Sequence, residues 1–356
     1  MIPYIVVLLL LIFSALLLDY SKLKWAAFYV NCTILWLFCA LRGNGDGDYF
    51  TYIEYSKLIT TTSDIFDFAF PMEIGFRILS FFCNQVGLGS QSIIIAMATF
   101  SLLPTYFTIS KISHLPSLSL LVFFPFFLMM DMHSSRTAIA ASFGLIGAIE
   151  VFKGRSIKGT MLVIFGSAFH SSALILVWLL SIFWLRSALL LFVFVFFLAF
   201  QIVFDIRDVL IFVLQTIGLD FFVMKAQIYF SQEEYVYPIP LYDPRILLQL
   251  LVTVLIVNYS QSLGKENKNY KLINMYIFGG IILVAFSDMT IFSIRLSYFF
   301  LISSFLVIPI VAERLNRNFK SCNLPNLSGS MIFCFIYTLM SSAIIYSYVD
   351  YKLFFE

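Results

Sequence analysis

Residues 117–155 read SLSLLVFFPFFLMM DMHSSR TAIAASFGLIGAIEVF KGR. Two apolar runs flank a short polar joint, and a basic turn closes the second run. In a bilayer this is two helices joined at one surface, because a helix satisfies its own backbone in hydrocarbon. The pattern extends both ways along the chain. Apolar runs fall at 2–18, 25–41, 91–110, 117–131, 137–152, 159–181, 187–204, 208–224, 246–263, 272–287, 293–312 and 329–349. The first has neither the basic start nor the small-residue cleavage site of a signal peptide, and it reads as the first membrane helix. Some runs are shorter than the roughly 20 residues of a straight span. Polar ends and neighbouring protein complete them.

Composition agrees. Of 356 residues, 61% are hydrophobic, 12% are charged and 42 are phenylalanine. So few charges cannot cover a soluble chain of this length. The reading is an all-α, polytopic membrane protein of about 12 transmembrane helices, forming a single transmembrane domain over 1–356. The net charge is +2 and no basic cluster points to nucleic acid. Cys32, Cys39 and Cys334 lie in apolar runs, Cys83 in an amphipathic stretch and Cys322 in a basic loop. Their spacing suits neither a metal site nor a disulfide framework. No P-loop and no GxGxxG after a strand occurs, which argues against ATP hydrolysis within the chain.

The stretch 71–89, PMEIGFRILSFFCNQVGLG, places Glu73 and Arg77 one helical turn apart. It reads as a re-entrant or interfacial helix, because counting it as a span spoils the alternation of charge that follows. With that assignment one set of loops holds Lys22, Lys24, Lys111, Lys153, Arg155, Lys158, Lys265, Lys268, Lys271, Arg314, Arg317 and Lys320. The positive-inside rule makes them cytoplasmic. The opposite set, led by the loops 42–70 and 225–245, gathers Asp46, Asp48, Glu54, Asp64, Asp67, Asp131, Glu233, Glu234, Asp243 and Asp288. It is expected to face the periplasm or the cell exterior.

Charge near membrane depth is expensive and marks functional candidates. The stretch Arg42-Gly-Asn-Gly-Asp46-Gly-Asp48-Tyr49, followed by Tyr52 and Tyr55, begins where a helix leaves the membrane. Carboxylates take sugar hydroxyls and aromatic rings take the apolar sugar face. The alternative there is a capped, solvated loop. In Asp131-Met-His133-Ser-Ser-Arg136, the arginine opens a helix of small residues. A guanidinium beside a helix N-terminus suits phosphate recognition, and an Asp131–Arg136 pair tying two helices is the structural alternative. His170 falls midway along its apolar run, where it must hydrogen-bond something, as a base, a sugar ligand or a pin between helices. Asp288 precedes Arg295 and Tyr298 at the outer end of another helix. The loop 225–245 adds Tyr229, Tyr235, Tyr237, Tyr242 and Arg245. Interfacial anchoring is the plain reading of such a loop.

These motifs in this order are Leu41-Arg42 to Asp48-Tyr49, Pro71-x-Glu73-x-Gly75-Phe76, Asp131-Met-x-x-x-Arg136-x-x-x-Ala140, Lys153-Gly-Arg155, Phe169-His170-x-Ser172 and Arg295-x-x-Tyr298-Phe299. Over roughly residues 1–310 the chain resembles the EpsG-like branch of the Wzy polysaccharide polymerases, which includes O-antigen polymerases. The resemblance implies a glycosyltransferase in the bacterial inner (plasma) membrane. Its substrates are oligosaccharide repeat units on undecaprenyl diphosphate, joined at the outer face, with no cofactor and no metal. A chain-length regulator and a flippase are the partners it leaves open. Breaking a glycosyl–diphosphate bond builds negative charge that preorganised cations stabilise. Arg136 and Arg295 are the first choices for the diphosphate, with Arg42 and Arg245 behind them. Asp48, Glu73 and His170 are the choices for the base that takes the acceptor proton. Asp46, Tyr49, Tyr52 and Tyr298 are expected to hold sugars. Gly47 departs from the family pattern, so Asp46 and Asp48 compete for its single acidic position.

Two other classes compete. A flippase for the same lipid-linked oligosaccharide would show repeated halves and charge along a central path. Here no repeat is visible and the unusual charges gather on one face. An O-antigen ligase, joining the polymer to the lipopolysaccharide core, shares the donor and differs in the acceptor.

Overall fold

The computed structural model describes residues 1–44, 47–67, 69–87, 89–179, 185–204, 206–218, 223–224, 227, 238–261, 267–321, 328–347 and 351–354. Among them the chain is helical, with no strand; a lone bridge pairs Arg42 with Leu353. Gln91–Ile112, Ser135–Phe152 and Gly329–Tyr346 are long and apolar enough to cross a membrane, and two bent pairs raise the number of spans from 3 to at most 5. Ile2–Leu18, Lys24–Ala40, Pro116–Asp131, Ser156–Ser167 and Pro244–Val257 are apolar but shorter. The all-α membrane architecture holds; among the described residues, helix length and composition identify 3 to 5 candidate spans of the twelve expected.

Two runs read as single spans are interrupted. The run 159–181 divides into Ser156–Ser167, a short 3₁₀ turn at Ser171–Leu174 and Ile175–Leu179. The run 293–312 divides into Thr290–Leu301 and Ser304–Ser321. Unbroken hydropathy conceals such breaks, because it reports solvent preference and not where backbone hydrogen bonds go.

The described residues form two compact units, 1–178 with 304–356, and 179–303. In the first, the helix Ser135–Phe152 turns at Lys153–Arg155 and packs back against Ser156–Ser167. Small residues bring the two backbones together, as membrane helices require in the absence of a hydrophobic drive. A Cβ on Gly147 would stand 2.7 Å from the Gly159 carbonyl, and one on Gly159 would stand 2.5 Å from that of Gly147.

The two ends of this unit differ in charge. At one end Asp19 accepts from the amides of Ser117 (2.9 Å) and Leu118 (2.8 Å). Asn316 donates to the Tyr20 hydroxyl (2.7 Å), which shares a hydrogen bond with Ser330. Glu150, at the last turn of Ser135–Phe152, gathers Lys153 (2.8 Å), Arg155 (3.2 Å) and Lys158 (3.2 Å). At the other end Gln91 donates to the carbonyls of Ala40 and Arg42, both at 2.9 Å. The basic loops near 22, 111, 153–158 and 314–320 therefore share one end, and the loops 42–67 and 132–136 share the other.

The second unit comprises Ser187–Val203, Ile206–Thr216, Pro244–Gln261, Lys268–Ala285 and Thr290–Leu301. Polar pins join its helices. Ser187 donates to Asn274 (2.6 Å), Asn274 to the Leu185 carbonyl (2.6 Å) and Gln249 to the Tyr276 carbonyl (2.9 Å).

Candidate functional site

The helix begun at Pro116 ends in a widened turn, where the Met132 amide donates to the Phe127 carbonyl at 3.0 Å. Its last carbonyl, that of Asp131, accepts from the Arg42 guanidinium and from the Ser135 hydroxyl (2.8 Å). Arg42 also donates to Ser135 Oγ at 2.9 Å and is only 2% exposed. A buried guanidinium thus ties the end of one helix to the start of the next. The backbone beside it is held too. Gly43 donates its amide to the Lys352 carbonyl (2.7 Å), and Phe354 donates to the Leu41 carbonyl (3.1 Å).

Above this floor stands Arg136, the second residue of Ser135–Phe152. Its guanidinium pairs with the Glu73 carboxylate, with the two side chains 18% and 25% exposed. Glu73 immediately precedes the helix Ile74–Val86. The guanidinium carbon lies 5.8 Å from the centre of the Tyr52 ring, a cation–π placement. The Tyr52 hydroxyl donates to Asp48 Oδ2 at 3.1 Å. Burial pushes the Tyr52 phenol up to about 12, and the Asp48 charge adds to the shift. Tyr52 is therefore a neutral donor across the physiological range. Asp48, Tyr52, Arg136 and Glu73 form one chain of contacts with a single cation and two carboxylates.

Three further contacts hold this chain in place. The Asp48 amide donates to the His133 carbonyl at 3.3 Å. Gly47, at φ +51°, lies so close that a Cβ there would stand 2.5 Å from His133 Nδ1. The Gly75 amide donates to the Ala168 carbonyl at 2.7 Å. Below, Tyr52, Met72, Phe76, Ile93, Ile139 and Phe169 share one apolar cluster.

The sequence-derived candidates now have places. Asp48, Glu73 and Arg136 come together. His170 does not lie midway along a span. It occupies the break after Ser156–Ser167 with extended backbone (φ −154°, ψ 114°), two residues beyond the carbonyl that binds Gly75. There the Ala168 carbonyl accepts from Gly75 of another segment instead of continuing its own helix. The Asp131–Arg136 pair is not formed, because Arg136 reaches Glu73 while the Asp131 carbonyl serves Arg42. Arg42 is turned inward beneath the site. Tyr49 is half-buried and donates to Gln91 Oε1 at 2.8 Å. Tyr52 is fully buried, so its ring serves Arg136 and Phe76 and offers no open face. Asp46 lies outside the described residues, as do Tyr229, Glu233, Glu234, Tyr235 and Tyr237 of the loop 225–245.

In the second unit Arg295 is on an exposed face of Thr290–Leu301, and Tyr298 is buried on the same helix. Arg245 makes a two-point contact with Asp243, Nε to Oδ1 and Nη2 to Oδ2, each at 2.8 Å. Burial raises the Asp243 carboxyl, but the Arg245 hydrogen bonds outweigh it and leave the group below its ordinary value.

Sequence reasoning missed Gln91, Ser135 and residues 352–354. A Gln opening an apolar helix and a Ser preceding Arg136 were visible signals; the 352–354 segment carried none. Among the described residues no group of three or more His, Cys, Asp or Glu side chains is gathered to hold a metal ion.

A half-buried ion pair thus stands at one end of the first unit of an all-helical membrane protein. The EpsG family model matches residues 25–353, and the chain belongs to the EpsG family. That family is associated with glycosyltransferase-like polysaccharide polymerases. No curated protein and no solved structure matches the chain.

Proposed function

We propose that this protein is a bacterial polysaccharide polymerase of the O-antigen or exopolysaccharide type. It joins oligosaccharide repeat units carried on undecaprenyl diphosphate, at the outer face of the inner (plasma) membrane. The observation that carries the reading is Arg136, a partly exposed guanidinium beside two carboxylates, Glu73 and Asp48, at the end of the first unit opposite its basic loops.

The chemistry follows from those groups. The sugar–diphosphate bond breaks with its electron pair going to the diphosphate oxygen. A guanidinium already fixed in place stabilises that charge without reorganising. The acceptor hydroxyl attacks the anomeric carbon and gives its proton to a nearby carboxylate. Glu73 is the base in this reading, with Asp48 fixed on Tyr52 and His170 at the neighbouring break. Asp46 and Tyr49 are the sugar contacts, and no cofactor or metal enters the step.

Purified protein in detergent, supplied with undecaprenyl-diphosphate-linked repeat units from the host strain, tests it. A ladder spaced by whole repeat units, absent in Arg136→Ala, is expected. Unchanged single units from folded protein would transfer the assignment to a flippase or a ligase. Transport into liposomes, or transfer to a lipid A core acceptor, would then separate those two.

A further inference from the structure

The site at rest is not electropositive. Arg136 contributes one positive charge, and Glu73 and Asp48 contribute two negative ones along the same chain of contacts. A diphosphate carries several negative charges of its own. It cannot simply add to this group, because Glu73 already occupies the guanidinium and a like charge would stand beside the incoming phosphate. One partner of Arg136 must therefore give way.

The structure indicates which one. Tyr52 is fully buried, packed on Phe76, and its hydroxyl is anchored on Asp48. The Asp48 backbone is anchored in turn on the His133 carbonyl. Glu73 differs. Its side chain is the more exposed member of the ion pair, at 25%. It caps its helix with extended backbone (φ −64°, ψ 156°), its carbonyl accepting from the Arg77 amide at 3.2 Å, so the side chain projects from outside the helical turns. The helix behind it stays fixed, because Gly75 is bonded to Ala168 and Asn84 donates to the carbonyls of Ser56 and Ile59, both at 2.7 Å. Rotation of the Glu73 side chain alone releases Arg136 and leaves the backbone undisturbed. The Arg136 Nε, buried and without a hydrogen-bond partner, is a further donor the present pairing leaves unused.

We infer that Glu73 and the donor diphosphate exchange on Arg136, so that donor binding frees the carboxylate that then accepts the acceptor's proton. This rests on the polymerase reading and adds an order of events to it. Before the donor arrives, the Glu73 carboxylate is occupied by its ion pair with Arg136. The phosphate oxygens then take the guanidinium in a two-point contact, and Glu73 turns free beside the reacting sugar. The acceptor O–H proton moves to the Glu73 carboxylate, the oxygen bonds to the anomeric carbon, and the C–O bond to phosphate breaks with its electron pair on the diphosphate. When undecaprenyl diphosphate leaves, Glu73 gives up its proton to solvent and pairs with Arg136 again.

The test measures binding of undecaprenyl diphosphate to full-length protein in detergent. Glu73→Gln removes the competing charge and nearly preserves shape. It is expected to bind at least about tenfold more tightly than the native protein and to make no polymer. Glu73→Asp, which keeps the charge on a shorter arm, is expected to fall between them and secures the comparison should the glutamine variant not fold. A residue that merely pinned the helix would weaken binding when altered. Equal or weaker binding by folded Glu73 variants, with binding abolished in Arg136→Gln, would overturn the exchange and leave the diphosphate site standing. Binding unchanged in Arg136→Gln, or absent from the native protein, would overturn both.

Discussion

Arg42 Nη2 donates to Ser135 Oγ at 2.9 Å, and Ser135 is the residue before Arg136. Both arginines are diphosphate candidates in the sequence, Arg42 ranked behind Arg136. Here the buried Arg42 helps set where the partly exposed Arg136 stands. Arg42→Met is expected to destabilise the fold by about 2–3 kcal/mol, since it strips a charged donor from a buried carbonyl and hydroxyl. Polymer yield should fall with it, and Arg42→Lys should recover part of the stability. Thermal unfolding in detergent with the ladder assay checks this. Native stability in Arg42→Met would remove the positioning role.

Gly47 and His133 form the second joint of the site. Alanine at 47 pays for a left-handed backbone, about 1–2 kcal/mol, and its Cβ would crowd His133 Nδ1 at 2.5 Å. His133→Ala in the same chain should return part of the loss, because the ring is gone although the backbone stays. A double-mutant cycle should give a coupling of about 0.5–1 kcal/mol. Strict additivity would mean the ring does not press on the loop.

At the opposite end of the first unit, burial raises the Asp19 carboxyl from an ordinary 3.8 to about 6, while its hydrogen bonds from Leu118 and Ser117 lower it. A pKa raised on folding means that protonation favours the fold. That contribution is complete below about pH 4 and is lost as pH rises through 6, by at most about 3 kcal/mol. Asp19→Asn does not titrate and keeps one acceptor oxygen. Melting curves at pH 4.5 and 7.5 should therefore slope less in the variant than in the native protein. Identical slopes would contradict the assignment.

Ile78, Phe82 and Val86 follow one another every fourth residue and are 39%, 59% and 65% exposed. The opposite face of their helix, with Phe76, Arg77 and Ser80, is buried. An apolar stripe on a short helix between membrane segments suits the bilayer interface. A benzophenone side chain at position 82 is expected to form lipid adducts on illumination in liposomes. One at Phe107, exposed on the long helix Gln91–Ile112, serves as the positive control, and one at Glu54 should give none. Adducts at 107 without any at 82 would place the helix in water.

Much was legible in the chain itself. Apolar runs bounded by charge announced helices in a membrane, because hydrocarbon tolerates little else. The small residues after Arg136 announced close helix packing, and Gly147 meets Gly159 at backbone distance. Basic and acidic loops sorted to two sides, and in the first unit they occupy two ends. The ordered motifs around Arg42, Glu73, Arg136 and His170 indicated the family.

Other features depended on where a side chain's partner lies in space. Hydropathy ran unbroken through 159–181, yet the backbone stops being helical at 168–170 and the Ala168 carbonyl goes to an amide 93 residues earlier in the chain. Nothing local to Arg42 distinguishes it from Arg136; each follows or opens a membrane helix beside acidic residues. Their fates divide only when Lys24–Ala40, Pro116–Asp131 and Ser135–Phe152 are brought together and one guanidinium is enclosed while the other stays partly exposed.

The sequence by itself determined the solvent this protein lives in, its helical class, the sidedness of its charge and its family, since each is a sum over many residues that no single contact alters. Tertiary structure alone decided that Arg136 pairs with Glu73 and not Asp131, that the Tyr52 ring lies buried beside the Arg136 guanidinium, and that His170 stands at a break. Ion pairs and hydrogen bonds act over a few ångströms, and only folding sets which groups come that close.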